Sequence, residues 1–271
     1  MEFGIVQGRL VKSPPGELQW FPGPKWVEEF DLASGIDISF IELIAEREEN
    51  SSNPLWSIEG REEIKRISEA SDIKLYSTCT DFIINHGLLE SDSKSTMKHV
   101  FKFLDATSGL SCKYSVFPFL EESNIDSDNL KDYIKPIQEI ANYAQGLGIT
   151  ILLETLLIAK DLKLLLETID RENVACVFDT GNRAVQSEDL GSEILLLDSW
   201  IKHVHIKDKN REGENVLLGT GLVNFSDIFS SLKKINYSGP YVFETTRGKD
   251  PIETVKFHIQ LCKFFENEAK K

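Results

Sequence analysis

Four apolar runs in the second half of this 271-residue chain each end in a side chain that ionises: ILLET at Glu154, CVFDT at Asp179, HVHIKD at His205 and YVFET at Glu244. An uncompensated charge at the end of an apolar strand is expensive. The fold must therefore bring these ends to a place where something balances them. Counting from the start, β-branched and aromatic runs predict eight strands: Phe3–Val6, Phe40–Ile44, Leu75–Thr78, Tyr114–Pro118, Thr150–Glu154, Ala175–Asp179, His203–Ile206 and Tyr241–Glu244. Their near-continuous apolar character suits parallel strands covered on both faces. Helical patterns fall between them, over Lys25–Ser34, Gly60–Ser71, Lys94–Ser108, Asp128–Gly146, Lys160–Ile169 and Pro251–Asn267, with shorter ones near Gly191–Trp200 and Phe225–Ile235. Eight strand–helix alternations with no Gly/Ser-rich linker predict an α/β protein, one (β/α)8 TIM barrel over residues 1–271.

Local signals agree with that division. Gly146 and Gly148 end the fourth long helix before its strand, and Asp250–Pro251 sets a capping acid before a first-turn proline. No GxGxxG follows the first strand, so a dinucleotide fold is not indicated. The proline-rich segment KSPPGELQWFPGPKW after the first strand carries Trp20 and Phe21, which either cover a ligand at the barrel mouth or pack on its rim.

In such a barrel the C-terminal strand ends point into the mouth. Glu154, Asp179 and Glu244 converging there would repel one another unless a cation sat among them. A divalent metal resolves the conflict, and carboxylates with one imidazole suit Mn, Mg, Co or Zn. Of the two histidines in HVH, His203 and His205, one is expected to face inward and the other outward.

Composition limits the partners. A net charge of −14 weighs against nucleic acid, because affinity for a phosphate backbone comes from clustered Lys and Arg. Cys79, Cys112, Cys176 and Cys262 are scattered and form no CxxC pair, as expected of reduced thiols in a cytosolic protein. No signal-peptide pattern and no membrane-length apolar run is present, so a cytoplasmic location and no membrane partner are expected.

With these motifs in view, the chain resembles the sugar-phosphate isomerase/epimerase superfamily of xylose-isomerase-like barrels. The segments that carry the resemblance are GIVQGRL, IELIAE, LLET, VFDTGN, HVHIKDKN, LGTGLVNF and YVFETTRG, and the Glu–Asp–His–Glu order on the last four strands is the specific part. Within the superfamily it looks most similar to 3-epimerases of pentulose phosphates. The resemblance implies that Glu154, Asp179, His205 and Glu244 bind one divalent metal, with His205 chosen over His203 because it precedes the KD of HIKD. It implies that Glu154 and Glu244 flank a small carbohydrate substrate as acid and base, that Arg211 contacts that substrate, and that homo-oligomers are possible. Free-sugar relatives often have His where this chain has Asn182, which shifts the expectation toward the phosphorylated branch.

The chemistry is consistent with those roles. Epimerising or isomerising a ketose removes a proton next to a carbonyl, which leaves an enediolate that a metal stabilises. Two carboxylates, one on each face, can remove and return the proton. Arg9, His86, Asn182 and Lys207 are further candidates to bind substrate, and Glu42 and Glu46 lie close by as rim or core residues. Lys207, Lys209, Arg211, Arg247 and Lys249, or the glycine amides of LGTGLVNF, could hold a phosphate. Dehydration of a sugar-like keto compound and a catalytically silent ligand-binding barrel are the alternatives. Five histidines and an acidic surface argue against a nuclease with a trinuclear zinc cluster.

Overall fold

The structure is a computed structural model and describes residues 2–270. Eight parallel strands close into a barrel: Phe3–Val6, Phe40–Ala45, Lys74–Thr80, Tyr114–Phe119, Thr150–Thr155, Val174–Asp179, Ile201–Ile206 and Tyr241–Phe243. Each pairs with the next, and the eighth closes on the first through Phe3–Tyr241, Gly4–Val242 and Ile5–Phe243. Every strand expected from the sequence is present, with ends displaced by a residue or two. The eighth is the shortest, and Glu244 lies one residue beyond it. The Glu244 amide still donates to the Ile206 carbonyl at 3.1 Å, so the side chain keeps its place at the mouth.

Alternate strand positions face the barrel interior. Val6, Phe40, Ile44, Val116, Leu152, Ala175, Val177 and Val242 fill it as one apolar cluster. Intervening positions such as Ile5, Phe117, Phe178 and Phe243 face the helices and join the larger outer core. Gly4 makes room for this arrangement, because a Cβ there would sit 2.2 Å from the Phe40 ring. Gly4→Ala should therefore destabilise the barrel by about 1–3 kcal/mol through overpacking. That would appear as a lower urea midpoint at unchanged slope. An unchanged midpoint would show that Phe40 can move aside.

One expectation is corrected at the seventh strand. Residues two apart share a strand face, so His203 and His205 both point inward rather than one in and one out. They are 0% and 2% exposed, with ring centroids 5.0 Å apart. His205 lies nearer the mouth, and His203 stacks deeper, 6.3 Å from the Tyr76 ring.

The long first loop does two things. Phe21 is buried in the interior cluster with Val6 and Ile44, so this aromatic packs into the rim, while Gly16–Gln19 line the cavity at the mouth. Short helices Phe82–Asn85 and Thr180–Ala184, and a hairpin pairing Asp208–Lys209 with Asn215–Val216, were not foreseen. All four cysteines are free and buried. Among the described residues no helix is long and apolar enough to cross a membrane.

Candidate metal centre and active site

Strand parity carries Glu154, Asp179, His205 and Glu244 to one point at the C-terminal mouth, where one ligand atom from each lies within 4.8 Å of the others. The three carboxylates share a pattern: one oxygen is held by a fixed donor and the other is left toward the centre. Asp179 caps the helix Thr180–Ala184, its Oδ1 accepting from the Asn182 amide at 2.7 Å. Its Oδ2 is buried without a hydrogen bond, although Lys207 Nζ lies 2.9 Å away. Glu154 Oε1 accepts from Asn182 Nδ2 at 3.0 Å, while Oε2 faces His205 Nδ1 at 3.7 Å. Glu244 Oε1 meets Arg9 at 3.3 Å, and Oε2 lies 3.2 Å from His205 Nδ1 and 2.8 Å from Lys207 Nζ. His205 Nδ1 is likewise buried without a hydrogen bond. Asp179 Oδ2 and His205 Nδ1, buried without a hydrogen bond, are costly to leave so, whereas Glu244 Oε2 accepts from Lys207. A divalent cation answers both at once, and the donor set of three carboxylate oxygens and one imidazole nitrogen fits such an ion.

The imidazole is aimed from behind. His205 Nε2 lies 3.0 Å from Glu42 Oε1, and Glu42 also accepts from Ser77 at 2.7 Å and stands 3.0 Å from His203 Nε2. Glu42 is wholly buried on the second strand. Burial works against its ionisation, but the two imidazoles outweigh it and hold the carboxyl well below the usual carboxylate range. The charged Glu42 holds the ring by Nε2 and turns Nδ1 toward the centre. Glu42 was the functional residue the sequence reading underweighted. Its signal was an acid midway along an apolar strand, in FIELIA.

The environment separates the two glutamates. Burial, with Asp179 and Glu244 nearby, pushes Glu154 up to about 8. Burial also opposes ionisation of Glu244, yet Lys207, His205 and Arg9 hold it well below the ordinary range. Below pH 8 a metal must therefore displace a proton from Glu154 in order to bind. Apparent Mn²⁺ affinity should rise by at least about ten-fold per pH unit from pH 6 toward 8, because His205 must release a proton too: burial opposes its charge, but Glu42, Glu244 and Glu154 raise it well above the ordinary imidazole range. Calorimetry at several pH values, in buffers of different ionisation enthalpy, reads both the slope and the proton released. A flat profile would contradict this picture of Glu154.

Residues 30–263 match the model of the xylose isomerase-like TIM barrel family. The chain belongs to that family. Among its relatives, a ketose 3-epimerase of Arthrobacter globiformis is 32% identical over 117 residues, 40% of this chain and 39% of that protein. The match to an L-ribulose 3-epimerase of Methylomonas is similarly partial, so the chain spans less than half the length of these two relatives. An L-ribulose-5-phosphate 3-epimerase, UlaE, of Escherichia coli is 25% identical over 252 residues, 86% of this chain and 87% of that one. A solved L-ribulose 3-epimerase superposes with a TM-score of 0.80 at 16% identity, covering 100% of this chain and 96% of the other. At that identity the likeness shows the fold.

Within this xylose isomerase-like barrel the remaining candidates fall into three groups. Asn182 and Lys207 line a mouth cavity of about 470 Å³ together with Glu154, His205 and Glu244. Arg9 stands behind Glu244 at 1% exposure, donating to Gln19 and to the Thr245 carbonyl, so it holds the glutamate instead of meeting the cavity. The Glu29 carboxylate shapes this turn by accepting from the Gly8 and Leu10 amides. His86 and Arg211 are not brought to the centre. His86 stacks on Phe82 and lies 3.2 Å from Glu48 at the rim, and Arg211 is exposed in the turn of the short hairpin. Glu46 is bonded to Asn50 and Asn53, as a rim residue would be.

Two expected phosphate donors are already engaged. The Gly219, Gly221 and Val223 amides of LGTGLV donate to the Asp208 carboxylate, so this loop carries its own anion. Arg247 donates to the carbonyls of Gly8, Glu17 and Leu18 and straps the first loop to the eighth.

Proposed function

We propose that this family member is a divalent-metal-dependent epimerase or isomerase of a ketose or ketose phosphate, in which Glu154 and Glu244 transfer the proton next to the carbonyl. The observation that carries the reading is the pattern of half-held carboxylates, in which one oxygen of each acid is fixed and the other is turned with His205 Nδ1 to a common point. Asn182, Arg9 and the capped helix thereby orient three acids before any ligand arrives, and such preorganisation favours transition-state charge. A divalent ion held by Glu154, Asp179, His205 and Glu244 would supply Lewis-acid stabilisation of the charge left on the ketose oxygens.

The chain's own residues do the rest. Glu154 and Glu244 reach the cavity from the fifth strand and the end of the eighth, with the sixth and seventh between them, and so approach a ligand from two sides. Each glutamate can take a proton from its own face of the ligand while the other returns one from the opposite face. Lys207 Nζ, 2.8 Å from Glu244 Oε2, keeps that carboxylate charged until substrate is bound. The Mn, Mg, Co and Zn ions all remain within the donor chemistry.

The test is proton NMR in heavy water on a panel of ketoses and ketose phosphates, with each of these four metals supplied. The reading expects deuterium uptake at a carbon next to the carbonyl with every hydroxyl retained. Loss of a hydroxyl would replace it with a dehydratase, and no uptake from any compound would overturn it.

A further inference from the structure

The mouth cavity has a second end, built by residues on or after the first four strands: Gln19, Arg47, Cys79, Asp81 and Glu121. Asp81 follows the third strand, across the barrel from the seventh. It occupies the inward face that Cys79 also occupies, and it is 4% exposed. Its contacts are few for a buried carboxylate. Cys79 Sγ lies 3.6 Å from Oδ1. The Gln19 side chain, whose oxygen accepts from Arg9 at 2.9 Å, bonds to it from the other side. Arg47 lines the same end but makes two bonds to Glu121, at 2.6 and 2.7 Å. A carboxylate has about four acceptor positions, so Asp81, which lines the cavity, keeps acceptor capacity beyond its bonds to Cys79 and Gln19.

We propose that Asp81, braced by Gln19, accepts a hydrogen bond from a hydroxyl at the far end of the substrate, and that this end is an uncharged polyol and not a phosphate. The proposal rests on the site being that of a ketose epimerase or isomerase and names its substrate class. Charge supports it. Glu17, Asp81 and Glu121 all line the cavity, whereas Lys207 is engaged by Asp179 and Glu244, and Arg47 by Glu121. Arg47 and Glu121 cancel each other, so among the described residues at this wall Lys209 is left against Glu17 and Asp81, and one ammonium does not offset two carboxylates facing a phosphate dianion. The Arg247 guanidinium and the LGTGLV amides, which could have served an anion, are held by the chain itself. Far from discouraging a polyol, spare carboxylate acceptors are what its hydroxyl donors require.

The experiment is calorimetric titration of the Mn²⁺-loaded full chain with pentitols and hexitols, which cannot react, and with their terminal phosphates. At least one free polyol should bind ten-fold or more tightly than its phosphate. Asp81→Asn should weaken that polyol about ten-fold or more while leaving Mn²⁺ affinity within two-fold. A phosphate that binds more tightly, an Asp81→Asn variant that binds the polyol normally, or no binding in either series would each overturn the proposal. Deuterium uptake from ketoses reads the epimerase itself. Asp81-dependent polyol binding without uptake would keep the subsite and remove the epimerase, and uptake from phosphates alone would do the reverse.

Discussion

Glu154→Gln should leave the barrel folded and lower net epimerisation of a ketose substrate by about 10³-fold, within the range lost when a positioned acid or base is removed. The substitution is nearly isosteric, and Asn182 can still bond the side-chain oxygen as it bonds Glu154 Oε1 at 3.0 Å. What disappears is the carboxyl group that takes or returns the proton on its face of the substrate. Glu244→Gln should match this loss, because an amide cannot accept the substrate proton. It also strands Lys207 and Arg9, which then lack their shared partner. The two variants should differ in their residual half-reactions. One keeps exchange on one face of the carbon and the other on the opposite face, so each should label a single epimer. Activity within ten-fold of the parent in either variant, with circular dichroism unchanged, would remove that glutamate from proton transfer.

Glu42→Gln should weaken Mn²⁺ binding by about 10–100-fold although Glu42 does not reach the metal centre. Residues behind a metal-ligating histidine have effects of this size. Glu42 is the anion that holds His205 by Nε2 at 3.0 Å, with His203 at equal distance on its other oxygen. An amide can accept from one imidazole, but it turns its NH₂ toward the other and carries no charge. The His205 ring is then free to exchange tautomer and tilt, so Nδ1 no longer stands waiting for the ion. Ser77→Ala removes a weaker bond to the same carboxylate, at 2.7 Å, and should have a smaller effect in the same direction. Equal Mn²⁺ dissociation constants for Glu42→Gln and the parent would show that packing alone orients His205.

The sequence showed the barrel because its strands are dense in Val, Ile, Leu and Phe and its helices carry clear end signals. It showed the four ligands because each is an ionisable group ending an apolar run, a local pattern readable without coordinates. The residues behind those ligands were harder to see. Glu42 sits 163 residues from His205 in the chain, and Arg9 sits 235 from Glu244, so only barrel closure joins them. Arg9 read as a substrate residue because a buried arginine and an open one look alike in sequence. Arg211 and His86 were led astray by loops, whose course is set by local turns such as the hairpin at Asp208–Lys209 and not by strand parity. The expectation that His203 and His205 face opposite ways failed on parity itself, since two residues apart means one face. Asp81 carried no signal at all. It follows a Thr-rich strand end, and only the structure shows that it lines the cavity.

Whether the four-residue centre holds one ion through His205 alone is read most directly by electron spin-echo spectroscopy of the Mn²⁺ protein. Among the described residues two clusters could hold an ion, Glu154–Asp179–His205–Glu244 and Glu42–His203–His205, and they differ in how many imidazoles they present. One Mn²⁺ per chain with coupling to a single imidazole nitrogen, abolished by His205→Ala and kept in His203→Gln, is the result this account predicts. Coupling to two imidazole nitrogens, or a signal that survives His205→Ala, would contradict it.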